Sequence, residues 1–282
     1  MPLALITGAS TGIGRATALR LVGSGWTVLA GVRDPEAGER LQAESGSGAR
    51  LIPLIRDVTD AAQVADAAAR VEQLSDGPGG GLDALVNNAG IGSGGPLELV
   101  SLQTLRNQFE VNVFGQVAMT QALLPALRLR RGRIVFVSSV GGRVAMAYTA
   151  PYGASKHALE ALADALRVEL RTSRVQVALI EPGSVATPIW DKGRVEAEQV
   201  QIPVELSEQY GHVPAAIGKA LADTARRGVP PELVAETIER ALTATRMRAR
   251  YVVGRDARVM LAAKWLLPDH VFDRLAGRVL GV

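Results

Sequence analysis

Tyr152 and Lys156 stand four residues apart in the run Tyr-Gly-Ala-Ser-Lys. Apolar residues recur at helical spacing through 154–170, which puts the pair about one turn apart on one face of a helix. A free phenol titrates near pH ~10 and is a poor acid or base at neutrality. An ammonium group one turn away stabilises the phenolate and is expected to pull that value down. A tyrosine tuned in this way can give a proton to an alcohol oxygen or take one from it. Tyr-x-x-x-Lys is also a short motif that chance produces. The plain alternative is a half-buried Tyr beside a solvated Lys, so the meaning of the pair depends on the rest of the chain.

The elements that must position the pair read as alternating strands and helices. Residues 3–6 form a short buried strand, Thr7-Gly-Ala-Ser-Thr-Gly-Ile-Gly14 a glycine-rich turn, and 16–22 a helix. Strand, glycine turn and helix together are the context a dinucleotide site requires. Gly8 allows a tight turn, Gly12 lets the backbone approach a pyrophosphate, and Gly14 lets the helix pack close on the strand. The helix N-terminus offers N–H groups to the anion. The spacing, G-x-x-x-G-x-G, differs from the ordinary G-x-G-x-x-G. The second strand, 26–32, should end at the adenosine ribose, where an NAD site usually places Asp or Glu. Val32 and Arg33 stand there instead. A 2′-phosphate is then not repelled, and Arg33 can pair with it or stack on adenine, or is a plain surface arginine. Asp34 is the alternative ribose ligand if the register is off by two.

Further strands are expected at 50–54, 82–86, 133–137, 175–180 and 250–253. Asp57-Val58 follows the third, and Asp60 caps a helix over 61–74. Residues 75–81 form a glycine-rich turn. Asn87-Asn-Ala-Gly90 follows the fourth strand, where Asn side chains can tie neighbouring strand ends. After a flexible segment at 91–96, a long helix over 99–129 carries Asn112 in its middle. Asn is a poor mid-helix residue, and a kink there would expose a carbonyl. Ser138 and Ser139 stand at the C-terminal end of the fifth strand, where open α/β sheets place ligands. Strand alternation turns Ser138 to the other face and leaves Ser139 for the site. Val140-Gly-Gly142 then leads into the loop before Tyr152, and the sixth strand ends in Glu181-Pro-Gly183. From Ser184 the pattern changes. Pro188, Ile189, Trp190 and a mixed amphipathic stretch to 227 suggest a helical lid. A helix follows from Pro230 or Pro231 to about 242, and 259–267 with 271–279 form an apolar tail for the core or a partner.

The predicted fold is α/β: a doubly wound, mainly parallel, seven-stranded Rossmann-type sheet with helices on both faces and a helical substrate lid. We expect one domain over 1–282: a cofactor-binding core with the catalytic residues at 3–183, the lid at 184–229, and a last helix, strand and tail at 230–282.

The composition is that of an ordinary globular protein, 48% hydrophobic and 21% charged over 282 residues. With no cysteine, disulfides, thiolate metal sites and a cysteine nucleophile are excluded, and a reducing, cytoplasmic setting is expected. No signal peptide is read at the N-terminus, and no run of about 18 apolar residues suggests a membrane span. The net charge of +3 is small. Arg246, Arg248, Arg250, Arg255 and Arg258 make a denser basic group with only Tyr251 as an aromatic among them. A solvated face, not a nucleic-acid site, is the expectation. No carboxylate–histidine cluster has metal-ligand spacing, so no metal is expected.

Taken together, the residues resemble the short-chain dehydrogenase/reductase family. The matching pieces are Thr7-Gly-x-x-x-Gly12-Ile-Gly14, Asp57, Asn87-Asn-Ala-Gly90, Asn112, Ser139, Tyr152-x-x-x-Lys156, and Pro182-Gly183 with Thr187, in the family's order and spacing over roughly 3–190. The segments Arg250-Tyr-Val-Val-Gly-Arg-Asp-Ala257 and Leu267-Pro-Asp269 are similar to the branch holding 17β-hydroxysteroid and retinol dehydrogenases.

The resemblance implies an NAD(P)(H)-dependent oxidoreductase moving a hydride between nicotinamide and a secondary alcohol or ketone. Tyr152 would be the acid/base. Ser139 would hydrogen-bond the reacting oxygen. Lys156 would lower the tyrosine pKa and bind ribose hydroxyls, and Asn112 would hold a water linking Lys156 to solvent. The implied cofactor contacts are Gly8, Ser10, Thr11, Gly12, Ile13, Gly14, Arg33, Asp57, Val58, Asn88, Ala89, Gly90, Tyr152, Lys156, Pro182, Gly183, Val185 and Thr187. Substrate would meet Ser139, Gly141, Tyr152 and Trp190. NADP(H) is the expected cofactor with NAD(H) possible, although Thr11 stands where some NADP-using relatives carry a second basic residue. Tyr148 lacks a lysine at the matching spacing, His157 faces away from Lys156, and His212 with Tyr210 is a lid pair that could touch substrate. The substrate is expected to be a lipophilic, steroid- or retinoid-like small molecule, and the protein a homodimer or homotetramer. Alternatives are an NAD-preferring dehydrogenase, a polyketide or fatty-acyl ketoreductase, or a non-catalytic dinucleotide sensor or scaffold.

Overall fold

Strands at Leu3–Ile6 (β1), Thr27–Val32 (β2), Leu51–Ile55 (β3), Ala84–Asn87 (β4), Arg133–Val137 (β5), Gln176–Pro182 (β6) and Arg250–Val253 (β7) form one sheet in the order β3-β2-β1-β4-β5-β6-β7. The computed structural model describes residues 1–75, 80–188 and 202–280. Every pairing is parallel, so the sheet is wholly rather than mainly parallel. The chain order reverses between β1 and β4, which opens a crevice at the C-terminal ends of these strands.

Both faces of the sheet are buried, as parallel sheets require. Alternation along β1 sends Ala4 and Ile6 to one side and Leu3 and Leu5 to the other. The first side packs under α1 (Gly12–Gly23), α2 (Pro35–Glu44) and α9 (Pro231–Thr243) through Leu21, Val22, Leu41, Val234 and Ile238. The second packs under α3 (Ala61–Leu74), α5 (Gly115–Arg130) and α6 (Ala150–Glu169) through Val64, Val71, Met119, Leu123, Leu127, Leu159 and Ala163. Asp60 caps α3 as expected, accepting from Ala62 N and Gln63 N.

The long helix over 99–129 is α4 (Leu102–Phe109) joined to α5 by a π-turn, Glu110–Phe114, with Asn112 at its centre. The extra residue per turn re-aims the helix without a proline. The segment after β2 is the capped helix α2, which the hydrophobic pattern did not announce. In the lid region the described residues form a 3₁₀ turn at Val204–Leu206 and two helices, α7 (Ser207–Tyr210) and α8 (Val213–Arg227). The tail forms α10 (Arg255–Leu266) and α11 (Asp269–Leu280). It packs inward: Ala257 and Phe272, with Met260 and Leu261, meet Val140 and Val144 in the loop that follows Ser139.

Candidate active site

The glycine turn between β1 and α1 needs Gly8 and Gly12 for their positive φ, +65° and +55°. Gly14 is needed for closeness: a Cβ there would stand 2.2 Å from Gly8 O. Asn88 fixes the turn, its Nδ2 donating to Thr7 O and Gly8 O, each at 3.0 Å. Thr7 Oγ1 accepts from Asn88 N and Ala89 N at 2.9 and 3.0 Å. Asn88 thus ties the ends of β1 and β4 together. Thr11 caps α1 without a side-chain hydrogen bond, so the first N–H groups of the helix remain available to an anion.

These residues line a cleft of ≈ 300 Å³ at the strand ends. Around it stand Gly8, Ser10, Thr11, Gly12 and Ile13; Arg33, Asp57 and Val58; Asn88, Ala89 and Gly90; Tyr152 and Lys156; and Pro182, Gly183, Val185 and Thr187. Every expected cofactor contact but Gly14 borders it, and Gly14 acts by packing. A glycine cradle at a helix N-terminus, with Arg33 exposed at the far end, fits a phosphate-bearing dinucleotide.

Just beyond β2, Asp34 has a structural role of its own. Its carboxylate caps α2, accepting from Glu36 N at 3.1 Å, and meets Arg40 at 3.4 Å. Asp57 carries a carboxyl held below its ordinary range. Partial burial works against ionisation, but hydrogen bonds from Thr59 N and Oγ1 at 2.9 and 2.7 Å, and the Arg33 charge, outweigh it. Arg56 also lines the cleft. Sequence reading passed over it, although it directly precedes Asp57.

At the other end of the cleft β5 delivers Ser139 and α6 delivers Tyr152 and Lys156. Ser139 Oγ accepts from Gly141 N at 3.0 Å and hydrogen-bonds the Tyr152 phenol. Gly141 lies over both: a Cβ there would stand 3.5 Å from Ser139 Oγ and from Tyr152 Cε1. Ser138 also lines the cleft, and its buried Oγ has no hydrogen-bond partner among the described residues. Lys156 is buried, with Nζ donating to Val137 O at 2.8 Å and 5.8 Å from the Tyr152 ring centroid. Burial pulls its pKa down to about 8 against the opposing charge of Glu160.

The expected depression of the tyrosine pKa is not found in this arrangement. Burial pushes the Tyr152 phenol up, and the Ser139 hydrogen bond only counters it. The reason is geometric: the ammonium is directed at a backbone carbonyl, not at the phenol oxygen. Asn112 lies within the π-turn. Its Oδ1 accepts from Ile91 N at 2.8 Å, and its Nδ2 donates to Ile91 O and Ser155 Oγ at 3.0 and 3.1 Å. The side chain is a clamp between the segment after β4 and α6. Trp190 lies outside the described residues. Tyr148 and His212 meet at 3.5 Å on the lid side, and Tyr210 donates to Glu98. Neither Tyr148, Tyr210 nor His212 borders the cleft.

Residues 2–198 match the family model described as short chain dehydrogenase. The chain belongs to the short-chain dehydrogenase family. A relative from Ornithobacterium rhinotracheale, named NADPH-dependent 3-dehydrocapnine reductase, is 35% identical over 98% of this chain and 96% of its own. Mouse retinol dehydrogenase 5 is 36% identical over 98% and 87%. Bovine 17-beta-hydroxysteroid dehydrogenase type 6 is 34% identical over 97% and 87%. Among solved structures, a short chain dehydrogenase from Burkholderia cenocepacia in complex with NADP superposes with a TM-score of 0.72 at 27% identity, covering 99% of this chain and 97% of that one. One from Burkholderia phymatum in complex with NAD gives 0.78 at 27% identity, covering 94% of each. This short-chain dehydrogenase is therefore an oxidoreductase that uses a nicotinamide dinucleotide, and no described helix is long and apolar enough to cross a membrane.

Proposed function

We propose that this dehydrogenase interconverts a lipophilic secondary alcohol and its ketone, with NADP(H) preferred over NAD(H). The observation that carries the chemistry is the Ser139–Tyr152 hydrogen bond at the strand ends, with Lys156 buried beside it. The bound nicotinamide supplies or accepts the hydride. Tyr152 holds the proton that passes to or from the substrate oxygen, and Ser139 hydrogen-bonds that oxygen as its charge changes. Lys156 is the cation behind the phenol. With the Asn112 side chain engaged, a water relay from Lys156 would rest on the Asn112 main-chain carbonyl in the π-turn. An intact set of these groups argues against a scaffold that has lost catalysis.

The preference for NADP(H) rests on Val32 and Arg33 at the end of β2. The 2′-phosphate carries roughly −1.5 to −2 charges, no carboxylate of the site opposes it at position 32, and Arg33 offers a planar donor fork. One relative's name points to NADPH, and others name retinol and a hydroxysteroid, both lipophilic alcohols. The test compares kcat/KM for NADPH and NADH over a panel of lipophilic ketones, in wild type, Arg33→Ala and Tyr152→Phe. Wild type should favour NADPH, by about 5- to 150-fold if one charged hydrogen bond decides it. Arg33→Ala should lose that ratio, and Tyr152→Phe should lose about 10²–10⁴ in turnover with cofactor binding kept. A wild-type preference for NADH, or a Phe variant within a factor of about two, would refute the respective assignment. We also propose a cytoplasmic homodimer or homotetramer joined through α5 and α6, where Leu129, Leu162 and Val168 are exposed. A monomeric mass by light scattering would refute that assembly.

A further inference from the structure

Arg56 follows directly on β3, and the pairing of β2 with β3 sets Val32 opposite Ile55. Arg56 N donates to Val32 O at 2.6 Å. Arg33 and Arg56 are thus the first residues beyond two paired strand ends, and both border the cleft with Gly31 and Asp57. They differ in setting. Arg33 is exposed, whereas only 11% of the Arg56 side chain is. Nη1 of Arg56 donates to Ile55 O and Nη2 to Asp66 on α3, while its Nε is buried without a hydrogen-bond partner. Buried donors are almost always satisfied, and an orphan one in a binding cleft marks a missing acceptor. Gly31 stands beside it in the cleft wall: a Cβ built there would lie 3.0 Å from Ile6 O and 3.9 Å from Arg56 Cβ.

We propose that Arg56 is the second cation of the adenosine end and that, with Arg33, it reads the 2′-phosphate of NADP(H). The inference rests on the NADP(H) reading above. An exposed arginine alone is weakened by water and salt. A guanidinium already held in place by Ile55 O and Asp66 loses less freedom on meeting a phosphate, and its neighbourhood is less screened. Thr11 brings no charge from the glycine turn, so β3 supplies the second one. Asp66 is 68% exposed, so its role is to position Arg56 while water screens its own charge.

The test uses the full chain and two adenosine fragments without nicotinamide, 2′,5′-ADP and 5′-AMP, measured by titration calorimetry. Wild type should bind 2′,5′-ADP more tightly. Arg56→Ala should weaken 2′,5′-ADP by about 5- to 150-fold while 5′-AMP stays within about twofold. Arg56→Lys should keep part of the preference. Asp66→Asn removes the charge that positions Arg56 and leaves the guanidinium, so its preference should fall between that of wild type and that of Arg56→Ala. Wild-type preference in Arg56→Ala would overturn the role of Arg56 and leave the cofactor reading intact. Equal loss of both fragments in Arg56→Ala, or a weaker preference in Asp66→Asn than in Arg56→Ala, would show a structural role and overturn it as well. A wild type that does not distinguish the fragments would overturn the cofactor reading, and the inference with it.

Discussion

Among the described residues the Lys156 ammonium donates one hydrogen bond, to Val137 O, and burial outweighs the favourable charge of Glu160. The spacing of Tyr152 and Lys156 was legible because a helix repeats every 3.6 residues. The sign of the tyrosine shift was not, because it depends on burial and on where a flexible ammonium comes to rest, and both are set by other segments. The consequence for Lys156 can be measured. Its pKa falls from 10.5 to about 8 on folding. Between those values the unfolded chain binds more protons than the folded one, so this residue makes stability rise with pH across that window. Below it the protonated, buried ammonium costs up to about 3 kcal/mol, at ~1.4 kcal/mol per pKa unit. Lys156→Met should remove that dependence. Urea unfolding of both proteins at intervals from neutral to alkaline pH should show the wild type gaining on the variant as pH rises. Parallel curves would mean that Lys156 is not desolvated in the folded state.

Among the elements, those with a thick apolar stripe were legible and those without were not. The helix over α3 announced itself by Asp60 and by Val64, Ala67 and Val71 on one face. Helix α2 buries only Gly38 and Leu41, too thin a face to show a period, although Asp34 and Pro35 stand at its start as a cap and a first-turn proline. The π-turn was visible only as an Asn in an unsuitable place, since an apolar pattern does not record which carbonyl each N–H chooses. Two readings of Asp34 make opposite forecasts. As a cap, Asp34→Ala should cost about 1 kcal/mol of stability, from the loss of the Glu36 N hydrogen bond, and leave cofactor affinity unchanged. As a ribose ligand it would lose affinity with little change in stability. Thermal unfolding and dinucleotide titration on the same variant decide between them, and a loss of affinity without destabilisation would sink the capping assignment.

At the scale of the whole molecule the last strand is bound by charge to α6, the helix that carries Tyr152 and Lys156. Arg250 was expected on a solvated basic face, but it turns inward from β7. Its Nε meets Glu160 on α6 at 3.0 Å and Glu181 on β6 at 2.9 Å, and its Nη2 meets Asp164 at 2.6 Å. Arg143 meets Glu181 from the other side at 3.2 Å. A sequence window around Arg250 holds none of these partners, which lie about 70–90 residues away in the chain, so composition could only read it as solvated. Glu181 is fully buried, and burial together with the Glu160 charge pushes its pKa up, against Arg143 and Arg250. A carboxyl raised on folding gives stability at low pH that is lost as pH rises through the folded value. Arg250→Met removes the shared cation and leaves two buried carboxylates, with Arg143 facing only one of them. The expected cost is about 3–5 kcal/mol at neutral pH, the range for stripping one partner from a buried ion pair. The cost should be smaller in mildly acid solution, where protonation relieves the repulsion, and larger in mildly alkaline solution. Adding Glu160→Gln to Arg250→Met should recover part of the loss, because one of the two charges is gone. Urea midpoints for the single and double variants on both sides of neutrality test this directly. A pH-independent loss, or no recovery in the double variant, would show that Arg250 acts by packing and not by balancing the buried charge.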